Sequence, residues 1–147
     1  MDAVLSFENV SKRYRSGDFW HPIKAQALID VSFSLVQGEV YGLVGLNGAG
    51  KSTLMKTAVG LLRPDVGQVR LFGLDPRDRE SRRSLGYLPE LPWFPSYLSA
   101  LEVLRYYGRL QGLRGAALSS RIDAVLQQVG LVKAASQPLN RYSKGMQ

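Results

Sequence analysis

The chain has 147 residues, 45% of them hydrophobic, no cysteine and a formal net charge of +7. That length holds one domain or part of one, with enough apolar residues for a core, and the lack of cysteine excludes disulfides and thiolate metal sites. The start, Met1-Asp2-Ala3, has no basic segment backed by an apolar run, and no stretch nears the roughly 18 apolar residues of a membrane span; a soluble, cytoplasmic chain is expected.

In chain order, residues 4–10 alternate apolar and polar side chains and read as an edge strand. Residues 14–24 form a loop rich in aromatics and charge, and residues 28–36 a second alternating strand. Gln37-Gly38 turns the chain into residues 40–44, a short apolar strand, and residues 53–62 carry Leu54, Met55, Ala58, Leu61 and Leu62 at helical spacing. Pro64-Asp65-Val66-Gly67 is a turn and residues 68–72 a further strand. Residues 77–83 are read as a short exposed helix and residues 85–88 as a brief strand. The four arginines of residues 77–83 alternate with Asp78 and Glu80, the pattern of a solvated face, so no nucleic-acid partner is expected. Prolines at 89, 92 and 95 exclude helix there; their spacing matches a polyproline ligand, but a stiff loop is the simpler reading. Ser99, with Glu102 three residues on, opens a capping box for a helix to about Leu110. A second helix runs from about Leu118 to Val129 and stops at Gly130.

Between the strand at 40–44 and the helix from Thr53 stands Gly45-Leu46-Asn47-Gly48-Ala49-Gly50-Lys51-Ser52-Thr53, which fits G-x-x-x-x-G-K-[ST]. Strand, glycine loop and helix are the context in which this pattern grips a nucleoside triphosphate. Glycines let backbone N–H groups approach phosphate, and the helix N-terminus adds partial positive charge. Lys51 would reach the β- and γ-phosphates, and the Ser52 hydroxyl would ligate Mg²⁺. The dinucleotide fingerprint G-x-G-x-x-G does not fit.

With these residues in view, the chain resembles the nucleotide-binding subunit of ATP-binding cassette (ABC) transporters, from its first strand to the family's signature motif. Four motifs in order carry the resemblance: Val10-Ser11-Lys12-Arg13-Tyr14, residues 45–53, Gly86-Tyr87-Leu88-Pro89-Glu90, and Tyr142-Ser143-Lys144-Gly145-Met146-Gln147. The last two have the form of single-cassette bacterial exporters. The resemblance implies an α/β P-loop NTPase fold of ABC type, a β-rich subdomain and RecA-like core with a helical subdomain, C-terminally incomplete. Residues 1–89 would be the β/RecA-like part and residues 90–147 the Q-loop, helical subdomain and signature motif.

It also implies roles. Tyr14 would stack on adenine, with Phe19 and Trp20 as competitors in the same loop. Gly45, Asn47, Gly48, Ala49, Gly50, Lys51, Ser52 and Thr53 would hold the ATP phosphates. Ser143, Lys144 and Gly145 would grip the γ-phosphate of ATP on a second nucleotide-binding subunit, Ser143 as a helix N-cap. Glu90 replaces the family's Q-loop glutamine, and as a hard oxygen ligand it suits Mg²⁺ beside Ser52. Trp93, Phe94, Tyr97, Tyr106 and Tyr107 are read either as a docking surface for a transmembrane permease subunit or, for about half of them, as core. His21, the one histidine, lies too early to be the family's switch histidine. The Walker B aspartate and catalytic glutamate have no counterpart in residues 1–147, so ATP binding without hydrolysis is expected of this stretch alone. The function implied is the ATPase subunit of an ABC exporter, at the inner face of the membrane through its permease. The alternatives are a soluble ABC-type ATPase of ribosome or DNA and a non-catalytic remnant of a truncated gene.

Overall fold

The computed structural model describes residues 3–16, 23–90, 93–143 and 145–146. The chain divides into two compact units, Met1–Tyr87 and Leu88–Gln147.

The first unit is built on two long strands, β1 (Ala3–Ser16) and β2 (Ile23–Val36). Helix α1 (Lys51–Ala58) and strand β3 (Val66–Leu71) follow. The antiparallel sheet has the order β2-β1-β3. Residues 4–10 therefore belong to the central strand and not to an edge. Alternation reveals that one face is buried; it does not say how many neighbours the backbone has. Phe7 sits opposite Phe33 on one side and Val69 on the other, and the two phenyl rings stack at 4.8 Å. Beyond Phe7 the β1–β2 register shifts, with Asn9 and Asp30 both in the left-handed region. Side chains hold this bulge: Asn9 N–H donates to Ser32 Oγ (2.8 Å), Asn9 Nδ2 to Asp30 Oδ1 (2.9 Å) and Asp30 N–H to Ser11 Oγ (2.9 Å). Helix α1 lays Leu54 and Ala58 on Phe7, Val10, Leu28 and Val69, and this cluster is the unit's core.

Local expectations fail at four places: the loop expected over residues 14–24 is strand at both ends, since β1 runs to Ser16 and β2 starts at Ile23, and three other segments differ as follows. Residues 40–44 form no strand, and Val40 and Val44 are 98% and 95% exposed. An apolar run is held as a strand only by a hydrogen-bonded neighbour, and although Tyr41 stacks on Phe33 of β2 at 5.3 Å, no described strand pairs with residues 40–44. Residues 77–83 make turns and no helix. There Ser81 Oγ donates to the carbonyls of Asp75 and Asp78, and Arg77 grips Asp75 through Nε (2.9 Å) and an Nη (2.6 Å). Such short-range side-chain bonds give the backbone an alternative to the helix. The pairing with Arg77 also holds the Asp75 carboxyl far below the usual carboxylate range. Residues 85–88 are likewise not a strand.

In the second unit, α2 (Ala100–Leu110) and α3 (Gly115–Gln128) pack against each other. Leu118, Ile122 and Leu126 of α3 meet Ala100, Leu101 and Leu104 of α2. The capping box is formed: Ser99 N–H donates to Glu102 Oε2 (2.8 Å) and Glu102 N–H to Ser99 Oγ (3.3 Å). Helix α3 ends at Gly130, whose φ of 71° lets its own N–H reach Gln127 O and the Leu131 N–H reach Leu126 O.

Replacing the Ser99 cap with alanine is expected to weaken the first turn of α2 by about 1 kcal/mol. Faster amide hydrogen exchange at residues 100–103 is the readout; unchanged exchange would contradict the cap's role. The Ser99 backbone N–H, then its hydroxyl, hold the Glu102 carboxyl below its ordinary value of 4.5. Because the folded value is the lower one, this stabilisation is present above about pH 4.5 and lost as pH falls through the folded value. The protection factors of the same amides should fall on acidification in the parent and much less in Glu102→Gln, which has no carboxyl to titrate.

Candidate phosphate-binding site

The loop from Gly45 to Gly50 carries little internal bonding: Ala49 N–H donates to Leu46 O (3.1 Å) and Leu54 N–H to Gly50 O (2.8 Å). Gly50 is the N-cap of α1, at φ +89°. A side chain there is barred twice, since a Cβ would also lie 2.2 Å from the Ala27 carbonyl oxygen of β2. The glycine thus lets the helix start hard against the strand. The N–H groups of Lys51, Ser52 and Thr53 belong to the helical turn that has no intrahelical acceptors. No acidic residue stands in that turn, so the positive end of the helix is unneutralised.

Lys51 does not extend into solvent. Its Nζ donates to Gly45 O (2.6 Å) and Leu46 O (2.8 Å), curling into the loop's own concavity. The ammonium is thereby held against the loop's own backbone carbonyls. Ser52 is exposed, while Thr53 is 9% exposed and sits beneath the turn. From the sheet side, Tyr14 reaches this turn: its hydroxyl lies 3.3 Å from Thr53 Oγ1, and the residue is 38% exposed. The structure thus gathers Tyr14, Gly45, Asn47, Gly48, Ala49, Gly50, Lys51, Ser52 and Thr53 in one unit. The Ser52 hydroxyl fits a magnesium ion that takes one protein oxygen and draws its other ligands from phosphate and water.

The remaining expected residues lie in the second unit. Glu90 is exposed in a bend, and Ser143 and Gly145 are exposed in a turn closed by Met146 N–H to Ser143 O (2.9 Å). Ser143 caps no helix among the described residues. Lys144, Phe19, Trp20 and His21 lie outside the described residues. Of the five aromatics, Phe94 packs on the core made by Val103, Leu139 and Tyr142, while Trp93, Tyr97, Tyr106 and Tyr107 are exposed. Two contacts were missed from sequence, Gly50 against Ala27 and Tyr14 against Thr53. The first has a signal in the obligatory glycine; the second has none, because 39 residues separate the partners.

Comparison with known proteins identifies the family. The family profile described as ABC transporter matches residues 28–147. An ABC transporter ATP-binding protein of Synechocystis is 41% identical over 97% of this chain and 41% of its own length. The Nod factor export ATP-binding protein I of Sinorhizobium fredii is 34% identical over 99% of this chain and 41% of its own. A solved ATP-binding subunit of an ABC transporter superposes with a TM-score of 0.76 at 32% identity, covering 97% of this chain and 57% of that one. The chain belongs to the ABC transporter family, and its fold is the α/β P-loop NTPase fold of that family's ATPase domains, which bind ATP. It spans less than half the length of these two curated relatives. No helix among the described residues is long and apolar enough to cross a membrane.

Gly50→Ala is expected to lower the unfolding free energy by about 1–3 kcal/mol, the usual cost of a forced left-handed residue, with the Ala27 clash added. An unchanged urea midpoint would show that the helix start does not depend on this approach.

Proposed function

We propose that the protein carrying this chain is the ATP-binding, ATP-hydrolysing subunit of an ABC exporter. The observation that carries the reading is the loop of residues 45–50 ending in an uncovered helix N-terminus, with the Lys51 ammonium held against the loop's own carbonyls. An entering triphosphate offers that ammonium anionic oxygens in place of neutral carbonyls. Charge-assisted bonds are roughly twice as strong as neutral ones, so the lysine exchanges partners and closes on the β- and γ-phosphates. The N–H groups of Gly48, Gly50, Lys51, Ser52 and Thr53 take the phosphate oxygens from the other side. Ser52 Oγ would hold Mg²⁺ beside the phosphates. Tyr14 offers its ring to the base.

Family membership and the export named for the Sinorhizobium relative support the wider assignment. In it, two nucleotide-binding subunits enclose ATP between the loop of one and Ser143, Lys144 and Gly145 of the other. Closure and hydrolysis drive a transmembrane permease, which holds the subunit at the inner face of the membrane.

Lys51→Ala is expected to weaken ATP binding about 10- to 150-fold, the equivalent of a charged hydrogen bond worth about 1.5–3 kcal/mol. Titration calorimetry on folded protein is the check, and equal affinity in mutant and parent overturns the assignment. Tyr14→Ala should lower affinity for ATP and GTP alike, since every base has a π-face. Loss for one base only would mean that Tyr14 reads a base edge and does not stack.

A further inference from the structure

Strand β3 pairs with β1 only from Leu5 to Ser11, whereas β2 accompanies β1 out to Ser16. Tyr14 therefore stands on a two-stranded ribbon that projects beyond the three-stranded sheet. A two-stranded ribbon is marginal by itself, and an aromatic carried on one has no fixed height above a neighbouring loop. Here the ribbon is fastened on both strands. On β1, Asp65, in the turn before β3, accepts from Lys12 Nζ (2.9 Å) and from Arg13 N–H (2.7 Å). Those bonds hold the Asp65 carboxyl below its ordinary value. On β2, the Ala27 carbonyl abuts Gly50. Tyr14 itself meets α1 through its hydroxyl, part-buried against Thr53 Oγ1, on a helix turn anchored in turn by Thr57 Oγ1 donating to Thr53 O (2.8 Å).

We propose that Thr53 is a positioning residue for the base: its hydroxyl fixes the Tyr14 ring relative to the phosphate loop, setting the spacing between base platform and triphosphate grip. The proposal rests on the reading of Tyr14 as the base platform. Thr53 then has two separate tasks. Its backbone N–H belongs to the phosphate-facing turn, and its side chain serves the base through Tyr14. A neutral hydrogen bond of this kind changes an equilibrium by about 2- to 10-fold.

The test is the ratio of affinities for ATP and for inorganic tripolyphosphate, measured by calorimetry on the whole protein in which residues 1–147 occur. Tripolyphosphate has no base, so the ratio isolates the base's share of binding. Thr53→Val keeps the shape and removes the hydroxyl; Tyr14→Phe keeps the ring and removes its hydroxyl. Each is expected to lower the ratio about 2- to 10-fold. The double variant should lower it no further than either single, and Thr53→Ser should preserve it. If Tyr14→Ala lowers the ratio while Tyr14→Phe and Thr53→Val leave it unchanged, the platform stands and the hydroxyl link is overturned. If Thr53→Val weakens ATP and tripolyphosphate equally, the hydroxyl serves phosphate and the proposal fails. If Tyr14→Ala leaves the ratio unchanged, the platform reading falls and takes the proposal with it.

Discussion

At Gly50 the chain must turn out of the loop, start a helix and pass the Ala27 carbonyl, all within one residue. Only a residue without a side chain, at φ +89°, does so. Everything at the site follows from this approach. It brings the open N–H groups of α1 against the edge of β2, and it seats Leu54 and Ala58 on the sheet's core with Phe7 and Val69. It also turns Lys51 back over the loop, where its ammonium finds the Gly45 and Leu46 carbonyls. The helix dipole and the lysine then reinforce each other. Both place positive charge in the same small concavity, and no acid in the first turn opposes them.

The same approach has a consequence on the sheet side. By holding α1 close to β2, it brings Thr53 within reach of Tyr14 on the neighbouring strand. The glycine loop and the aromatic are thus tied through short links, backbone to backbone at Gly50 and Ala27 and hydroxyl to hydroxyl at Thr53 and Tyr14, with the β1–β2 ribbon clamped by Asp65. A bound nucleotide would meet a frame whose two contact elements are spaced in advance, which reduces the ordering cost that binding must overcome.

The parts that depend on neighbours in sequence were legible. Ser99 and Glu102 announce their capping box because both partners lie within one turn, and Gly130 announces the end of α3 because an αL residue stops a helix wherever it stands. The loop from Gly45 to Thr53 was readable for the same reason: backbone freedom, a cation and a hydroxyl follow one another directly. The parts that depend on distant partners were not. Residues 4–10 read as an edge strand, since their alternation carries no information about β3 on the other flank. Residues 40–44 have a strand's composition, but apolar character alone does not supply the hydrogen-bonded neighbour, and Val40 and Val44 are left in solvent. Residues 77–83 failed through competition: Ser81 Oγ takes the carbonyls of Asp75 and Asp78, and Arg77 takes the Asp75 carboxylate, which fixes turns in place of a helix. The Tyr14–Thr53 contact is a product of the tertiary fold alone.

The most direct measurement of the central claim is amide-resolved: ¹⁵N chemical shifts, or hydrogen exchange, of the backbone N–H groups on addition of Mg–ATP. If the loop and the start of α1 form the phosphate grip, the amides of Gly48, Gly50, Lys51, Ser52 and Thr53 shift and gain protection. Those of the bulge at Asn9 and Asp30 stay as they were. Saturable ATP binding that leaves residues 48–53 unmoved and protects another segment would contradict the account.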